Sequence, residues 1–153
     1  MKKVILILAI SASILNGCKY EDGPWVSLRS AKNRLYGTYT LATYTVNGVD
    51  SLSLFNDSLD LHIKIYHEDV NDVERFDIYG YRRDGQFCML NCKWELTDRN
   101  TILNIITAIG AIGTGPIGTL KNPKWNILRL ANKDLKMKTN YNNKEYLIEL
   151  KSI

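Results

Sequence analysis

Residues 59–66, Leu59-Asp60-Leu61-His62-Ile63-Lys64-Ile65-Tyr66, alternate apolar and polar side chains without a break. Successive side chains of an extended chain point to opposite faces, so the segment predicts a strand. Its dry face carries Leu59, Leu61, Ile63 and Ile65, and its wet face Asp60, His62, Lys64 and Tyr66. Downstream, residues 75–82 set Phe76 and Ile78 among charged and aromatic neighbours, and Asp84-Gly85 supplies a hairpin turn. Beyond it Cys88, Leu90, Cys92, Trp94 and Leu96 share one parity while Lys93, Glu95 and Thr97 share the other. Asp98-Arg99-Asn100 turns the chain again, and residues 101–107 are a β-branched run.

The pattern extends to both ends. Residues 36–46 are rich in Thr, Tyr and Val, and Asn47-Gly48 is a turn able to hold positive φ. Residues 108–122, AIGAIGTGPIGTLKN, form a long Gly-rich connection. Residues 125–130, 134–139 and 144–151 then read as three strands, separated by Asn132-Lys133 and by residues 140–143. Before the first strand, Ser27 is placed to cap a short helix in which Leu28, Ala31 and Leu35 fall at roughly helical spacing. The count is about eight strands, mostly joined by short turns, with no helical run of ten or more between any two. Parallel crossovers need a dozen or more residues, so neighbours are expected to be antiparallel. The expected fold class is all-β, an antiparallel meander of about eight strands closing as a barrel that leaves no free edge, with a short N-terminal helix. A half-open barrel or a two-sheet sandwich has similar patterning. Residues 28–153 are expected to form this single domain.

The first 27 residues belong elsewhere. Met1-Lys2-Lys3 is a positively charged start, and residues 4–15, VILILAISASIL, are an apolar run of 12. A helix of that length reaches about 18 Å, short of a bilayer core of about 30 Å. The run fits an export signal over residues 1–17, so the mature chain is expected to fold outside the cytoplasm. It ends at Leu15-Asn16-Gly17-Cys18, which resembles the bacterial lipobox; that resemblance implies cleavage before Cys18 and diacylglycerol on its thiol. Several acyl chains on one residue give durable attachment, at roughly 0.8 kcal/mol per buried CH₂. Residues 18–27, with Gly23-Pro24, read as a lipidated tether. Lys19-Tyr20-Glu21-Asp22 is similar to the surface-export signal of lipoproteins in Bacteroidota, although Tyr20 interrupts its simplest form. The expected location is the bacterial outer membrane, with the lipid bilayer as a partner through acylated Cys18; the periplasmic or cell-surface face is left open.

The order of features also resembles that of the lipocalin-like lipoproteins of Bacteroidota. A lipobox and tether lead to residues 27–35, then to a Gly-x-aromatic strand start, here Gly37-Thr38-Tyr39. A middle hairpin carries Trp94, and Ile127-Leu128-Arg129-Leu130 with Lys133-Asp134-Leu135 gives the closing pattern. Tyr39 stands where the broader lipocalin signature has a tryptophan, and no late arginine is placed to cover it. The resemblance implies a fold and a location, and names no ligand.

Charge and motifs narrow the function. Removal of Lys2 and Lys3 lowers the formal charge from +4 to +2, with acids and bases interspersed, which argues against nucleic acid as a partner. Gly113-Thr114-Gly115-Pro116-Ile117-Gly118 matches the dinucleotide pattern formally, but no helical period follows the glycines to receive a pyrophosphate. The connection that holds it also suits a flap over a barrel mouth. His62 and His67 have opposite strand parity and only Glu68-Asp69 beside them, too few ligands for a metal site. No nucleophile elbow or inward acid pair is visible, so no enzyme activity, metal or cofactor is expected.

Cys88 and Cys92 lie about 13 Å apart if their strand is continuous, beyond the roughly 7 Å a disulfide spans. They would then be inward thiols. They form a disulfide only if Met89-Leu90-Asn91 is a tight turn or bulge. Asp50-Ser51-Leu52 and Asp57-Ser58-Leu59 are similar to O-glycosylation sites of envelope proteins in the same bacterial group. Among the aromatics, Tyr79, Tyr81, Trp94 and Trp125 fall on or beside strands, where they would line a ligand cavity or fill a packed core. The expected function is a non-enzymatic, membrane-anchored lipoprotein binding a small apolar or amphipathic ligand. The alternative is a structural or protein-binding envelope module with a packed barrel core, its protein partner unknown.

Overall fold

The computed structural model describes residues 20–21, 29–53, 59–82, 87–107, 123–131 and 134–153, and for residues 59, 60, 82, 87–89 and 107 the backbone only. The export signal, Cys18, most of the tether, the Asp84-Gly85 turn, Ser58 and the Gly-rich connection lie outside the described residues. Helix α1 (Ala31–Leu35) precedes β1 (Gly37–Val46), β2 (Val49–Asp50), β3 (Leu59–Glu68), β4 (Val73–Arg82), β5 (Phe87–Thr97), β6 (Ile102–Thr107), β7 (Lys124–Leu130), β8 (Asp134–Tyr141) and β9 (Lys144–Ser152). Every pairing is antiparallel. β2 is a two-residue return arm of β1, and the other eight strands close when β1 pairs with β9 through Tyr39↔Ser152, Leu41↔Leu150 and Tyr44↔Ile148. The sheet is a closed eight-stranded barrel, and the open sandwich is set aside.

The turns follow from residues that tolerate a left-handed backbone. Asn47 and Gly48 have φ of 52° and 77°, and Asn142 and Asn143 of 50° and 59°. Asp98, Arg99 and Asn100 are also at positive φ, held by Thr101 N–H donating to the Asp98 carbonyl at 3.1 Å. β3 and β4 are joined at residues 69–72 by a turn with neither Gly nor Pro, where Asp72 adopts φ 50°.

Parity then builds the core. Leu61, Ile63 and Ile65 face inward from β3, Phe76 and Ile78 from β4, Leu90, Cys92 and Trp94 from β5, and Leu135, Met137 and Thr139 from β8. Each fully buried apolar side chain stabilises the fold by roughly 1.5–3 kcal/mol. Bulges between Leu41 and Thr43 and between Ile127 and Arg129 each add one residue. The parity flips there, so Leu41 and Tyr44 both reach the core, as do Ile127 and Leu130.

The N-terminal segment covers one end of the barrel. Ser30, not Ser27, caps α1, its Oγ accepting from Asn33 N–H at 3.2 Å, and the helix is a little over one turn long. Tyr39 donates to the Leu35 carbonyl at 2.9 Å, Arg34 Nη1 to the Leu130 carbonyl at 2.9 Å, and Tyr20 to the Asn100 carbonyl at 3.0 Å. Tyr36 donates to the Glu74 carboxylate at 3.0 Å, and Lys32 pairs with the same group. Helix, Tyr20, the β3–β4 strand junction and the β5–β6 turn therefore meet at this end. Asn47 N–H donating to the Glu145 carbonyl at 2.8 Å ties two turns together at the other.

Candidate functional site

Among the described residues the barrel interior holds few polar groups, and their pairing is uneven. Trp94 lies on β5 opposite Ile105, its ring edge-on to Tyr36 with centroids 6.2 Å apart. Trp125 lies on β7 opposite Leu103. They are 4% and 0% exposed, and neither indole Nε1 has a hydrogen-bond partner. An indole N–H is a donor only, and leaving one buried and unsatisfied costs about 1–3 kcal/mol. By contrast the Thr139 hydroxyl donates to the Lys124 carbonyl at 2.7 Å. Tyr39 is also satisfied, and burial pushes its phenol up to about 12. Tyr44 and Tyr146 lie with ring centroids 6.1 Å apart, and burial, then the neighbouring Tyr146, raise the Tyr44 phenol to about 12.

At the covered end Arg34 is 7% exposed. Its guanidinium meets the Leu130 carbonyl and sits 5.4 Å from the centre of the Tyr20 ring, while its Nε has no partner. Sequence reasoning missed both Arg34 and Tyr20. Tyr20 stood in a presumed tether, yet it is almost fully buried against the core. No local signal marked either one, because the groups that bury them, the Leu130 and Asn100 carbonyls, lie far along the chain.

Two of the four aromatics expected inside are not there. Tyr79 and Tyr81 have the opposite parity to Phe76 and Ile78 and stand on the outer face, Tyr81 at 59% exposure. Gly80 occupies the inward position between them. Tyr79 stacks on His62, its partner across β3, at 5.6 Å and 26°. On the same outer face Asp77 is only 4% exposed, covered by longer neighbours, and accepts from the Tyr66 hydroxyl at 2.8 Å. That bond first, then burial, raises the Tyr66 phenol to about 12.

His67 has more acidic company than its sequence neighbours suggested. The β3–β4 connection folds Glu74 back to 3.1 Å from Nδ1 and brings Asp69 and Asp72 each to 3.6 Å from Nε2, while Glu68 is engaged by Arg75 at 2.7 Å. Among the described residues no group of three or more His, Cys, Asp or Glu is arranged to hold a metal ion. β5 runs unbroken through both of its cysteines, and Met89, Leu90 and Asn91 stay in register with Tyr79, Ile78 and Asp77, so they form ladder and not a turn. Cys92 is buried inward; the Cys88 side chain lies outside the described residues. Ser51, one of the two expected glycosylation positions, is buried and donates to the Val49 carbonyl at 3.2 Å.

No protein-family model matches the chain, and no curated protein matches it. Among solved structures it is similar to a lipocalin-like protein from Bacteroides uniformis ATCC 8492, at 13% identity and a TM-score of 0.50, covering 78% of this chain and 99% of that one. The barrel is lipocalin-like. An uncharacterized protein from Bacteroides eggerthii DSM 20697 is 15% identical, with a TM-score of 0.45 over 76% of this chain and 98% of that one. At these identities the likeness is one of fold.

Proposed function

We propose that the protein is a non-enzymatic lipoprotein, held on the bacterial outer membrane by acyl chains on Cys18, whose barrel binds a small apolar or amphipathic molecule. The observation that carries the binding half is the pair of buried indole N–H groups, Trp94 and Trp125, without an acceptor inside a closed barrel. A pocket for a small ligand is mostly apolar with a few convergent polar groups, and unsatisfied inward donors are what such a pocket offers its guest. The anchoring half rests on the charged start, the apolar run and Leu15-Asn16-Gly17-Cys18.

Native mass spectrometry of protein purified gently from its own host tests the first half. A mass above that of the processed chain and its acyl groups, lost on collisional activation, is the expected result. The bare mass throughout would favour the packed structural module. Intact-mass analysis tests the second half: a chain beginning at Cys18 and carrying diacylglycerol is expected, and an unmodified Cys18 or retained residues 1–17 would end the anchoring account.

A further inference from the structure

Tyr20 shortens the chain between the anchor and the barrel. A free tether over residues 18–27 would reach about 33–36 Å when extended. Tyr20 is instead 2% exposed and belongs to the apolar core. Its hydroxyl donates to the Asn100 carbonyl of the β5–β6 turn at 3.0 Å, and the Arg34 guanidinium lies 5.4 Å from its ring centre. Cys18 is two residues away along the chain. Whatever path those residues take, covalent geometry keeps the Cα atoms of Cys18 and Tyr20 within about 7 Å. An acyl group on the Cys18 thiol is therefore held beside the barrel end that α1 and the β5–β6 turn cover. The opposite end cannot share that place. β1 runs 10 residues from Gly37 at the covered end to Val46 at the other. At about 3.3 Å per residue and a strand tilt of about 40°, the two ends stand roughly 25 Å apart along the barrel axis.

We infer that the covered end of the barrel is a membrane-contacting surface: a two-residue leash seats α1 and the β3–β4 and β5–β6 turns on the head groups of a phospholipid bilayer, with the Asn47-Gly48 and Asn142-Asn143 turns pointing away. The inference rests on the acylation of Cys18 proposed above and adds an orientation to it. Exposed charges of both signs stand at this end, Arg29, Lys32 and Arg99 with Asp69, Asp72 and Asp98. A polybasic patch would draw a surface to anionic lipid by charge; a mixed one does not, so the leash decides the seating. Val70, at the tip of the β3–β4 connection and 92% exposed, is the apolar side chain that this seating carries into the head-group layer.

The test uses the full chain matured in a bacterial host and reconstituted in vesicles of phosphatidylethanolamine and phosphatidylglycerol, doped with a phosphatidylcholine that carries a nitroxide quencher on its head group. In a Cys88→Ser background, bimane is attached through Val70→Cys at the covered end or Val49→Cys at the far end; Cys92 is buried and escapes labelling. A head-group nitroxide quenches only nearby dyes, so the label at position 70 is expected to be quenched at least threefold more than the label at position 49. Insertion of about ten Gly and Ser residues between Lys19 and Tyr20 lengthens the leash without touching the Tyr20 contacts, and is expected to bring the two labels within about 1.5-fold of each other. Tyr20→Ser should do the same if it folds, and the insertion decides the matter if it does not. Equal quenching at both positions in the parent, or stronger quenching at position 49, would overturn the seating while leaving acylation intact. A difference that survives the insertion would show that something other than the leash holds this end, and would also overturn the inference. Protein that carries no acyl group by intact mass and does not float with the vesicles would remove both readings.

Discussion

The Tyr39 hydroxyl donates to the Leu35 carbonyl at 2.9 Å, clamping the first barrel strand to the helix that covers the barrel end. Both residues are buried, so no water replaces the bond when it is lost. Tyr39→Phe keeps the ring and strands the carbonyl, and is expected to cost about 1–2 kcal/mol in urea denaturation, with an unchanged denaturant slope.

The two faces of β4 make opposite predictions. Phe76→Ala empties a fully buried site and should destabilise by about 3–5 kcal/mol, whereas Tyr81→Ala on the outer face should cost less than about 1 kcal/mol. Comparable losses at both positions in thermal or chemical unfolding would contradict the assignment of faces.

Alkali should unfold the protein through its phenols. Burial leads the rise of Tyr36, Tyr39 and Tyr44 to about 12, and the bond to Asp77 leads that of Tyr66, all from an ordinary 10.0. A raised phenol favours the protonated form in the folded state, so its stabilisation is complete below pH 10 and is lost as pH climbs towards 12. Tyrosinate absorbance at 295 nm should therefore rise late and steeply, together with the loss of the far-ultraviolet β signal.

Glu74 sets the acid side. Its burial raises the carboxyl, but bonds from Lys32, Tyr36 and His67 outweigh that and hold it below the usual 4.5. A lowered carboxyl contributes stability that is present above 4.5 and lost as pH falls through the folded value. Glu74→Gln should flatten the decline of stability below pH 4.5, and a profile identical to the parent would show that the cluster carries no acid sensitivity.

The strands were legible wherever alternation met a turn residue with its own backbone preference, as in β3 and at Asn47-Gly48 and Asn142-Asn143. The turn at residues 69–72 was hidden because it uses Asp72 at positive φ with no glycine or proline to mark it. Tyr79 and Tyr81 stand on the outer face because strand parity, set by Phe76 and Ile78, outweighs aromatic character in deciding which way a side chain points. The bulges in β1 and β7 cannot be read from alternation, since each inserts a residue that breaks it. Arg34 and Tyr20 escaped for another reason: their burial arises from contacts with Leu130 and Asn100, far away along the chain, which no local pattern encodes.

The ladder between β1 and β9 joins the first strand of the barrel to its eighth. Until Leu147, Ile148 and Leu150 are free to dock, β1 has no neighbour on that side and its apolar row stands open. A chain emerging N-terminus first must therefore linger as an unsealed sheet until β9 arrives, with edges that invite mispairing or capture by a holding factor, and removal of β9 (Lys144–Ser152) would leave it in that condition permanently.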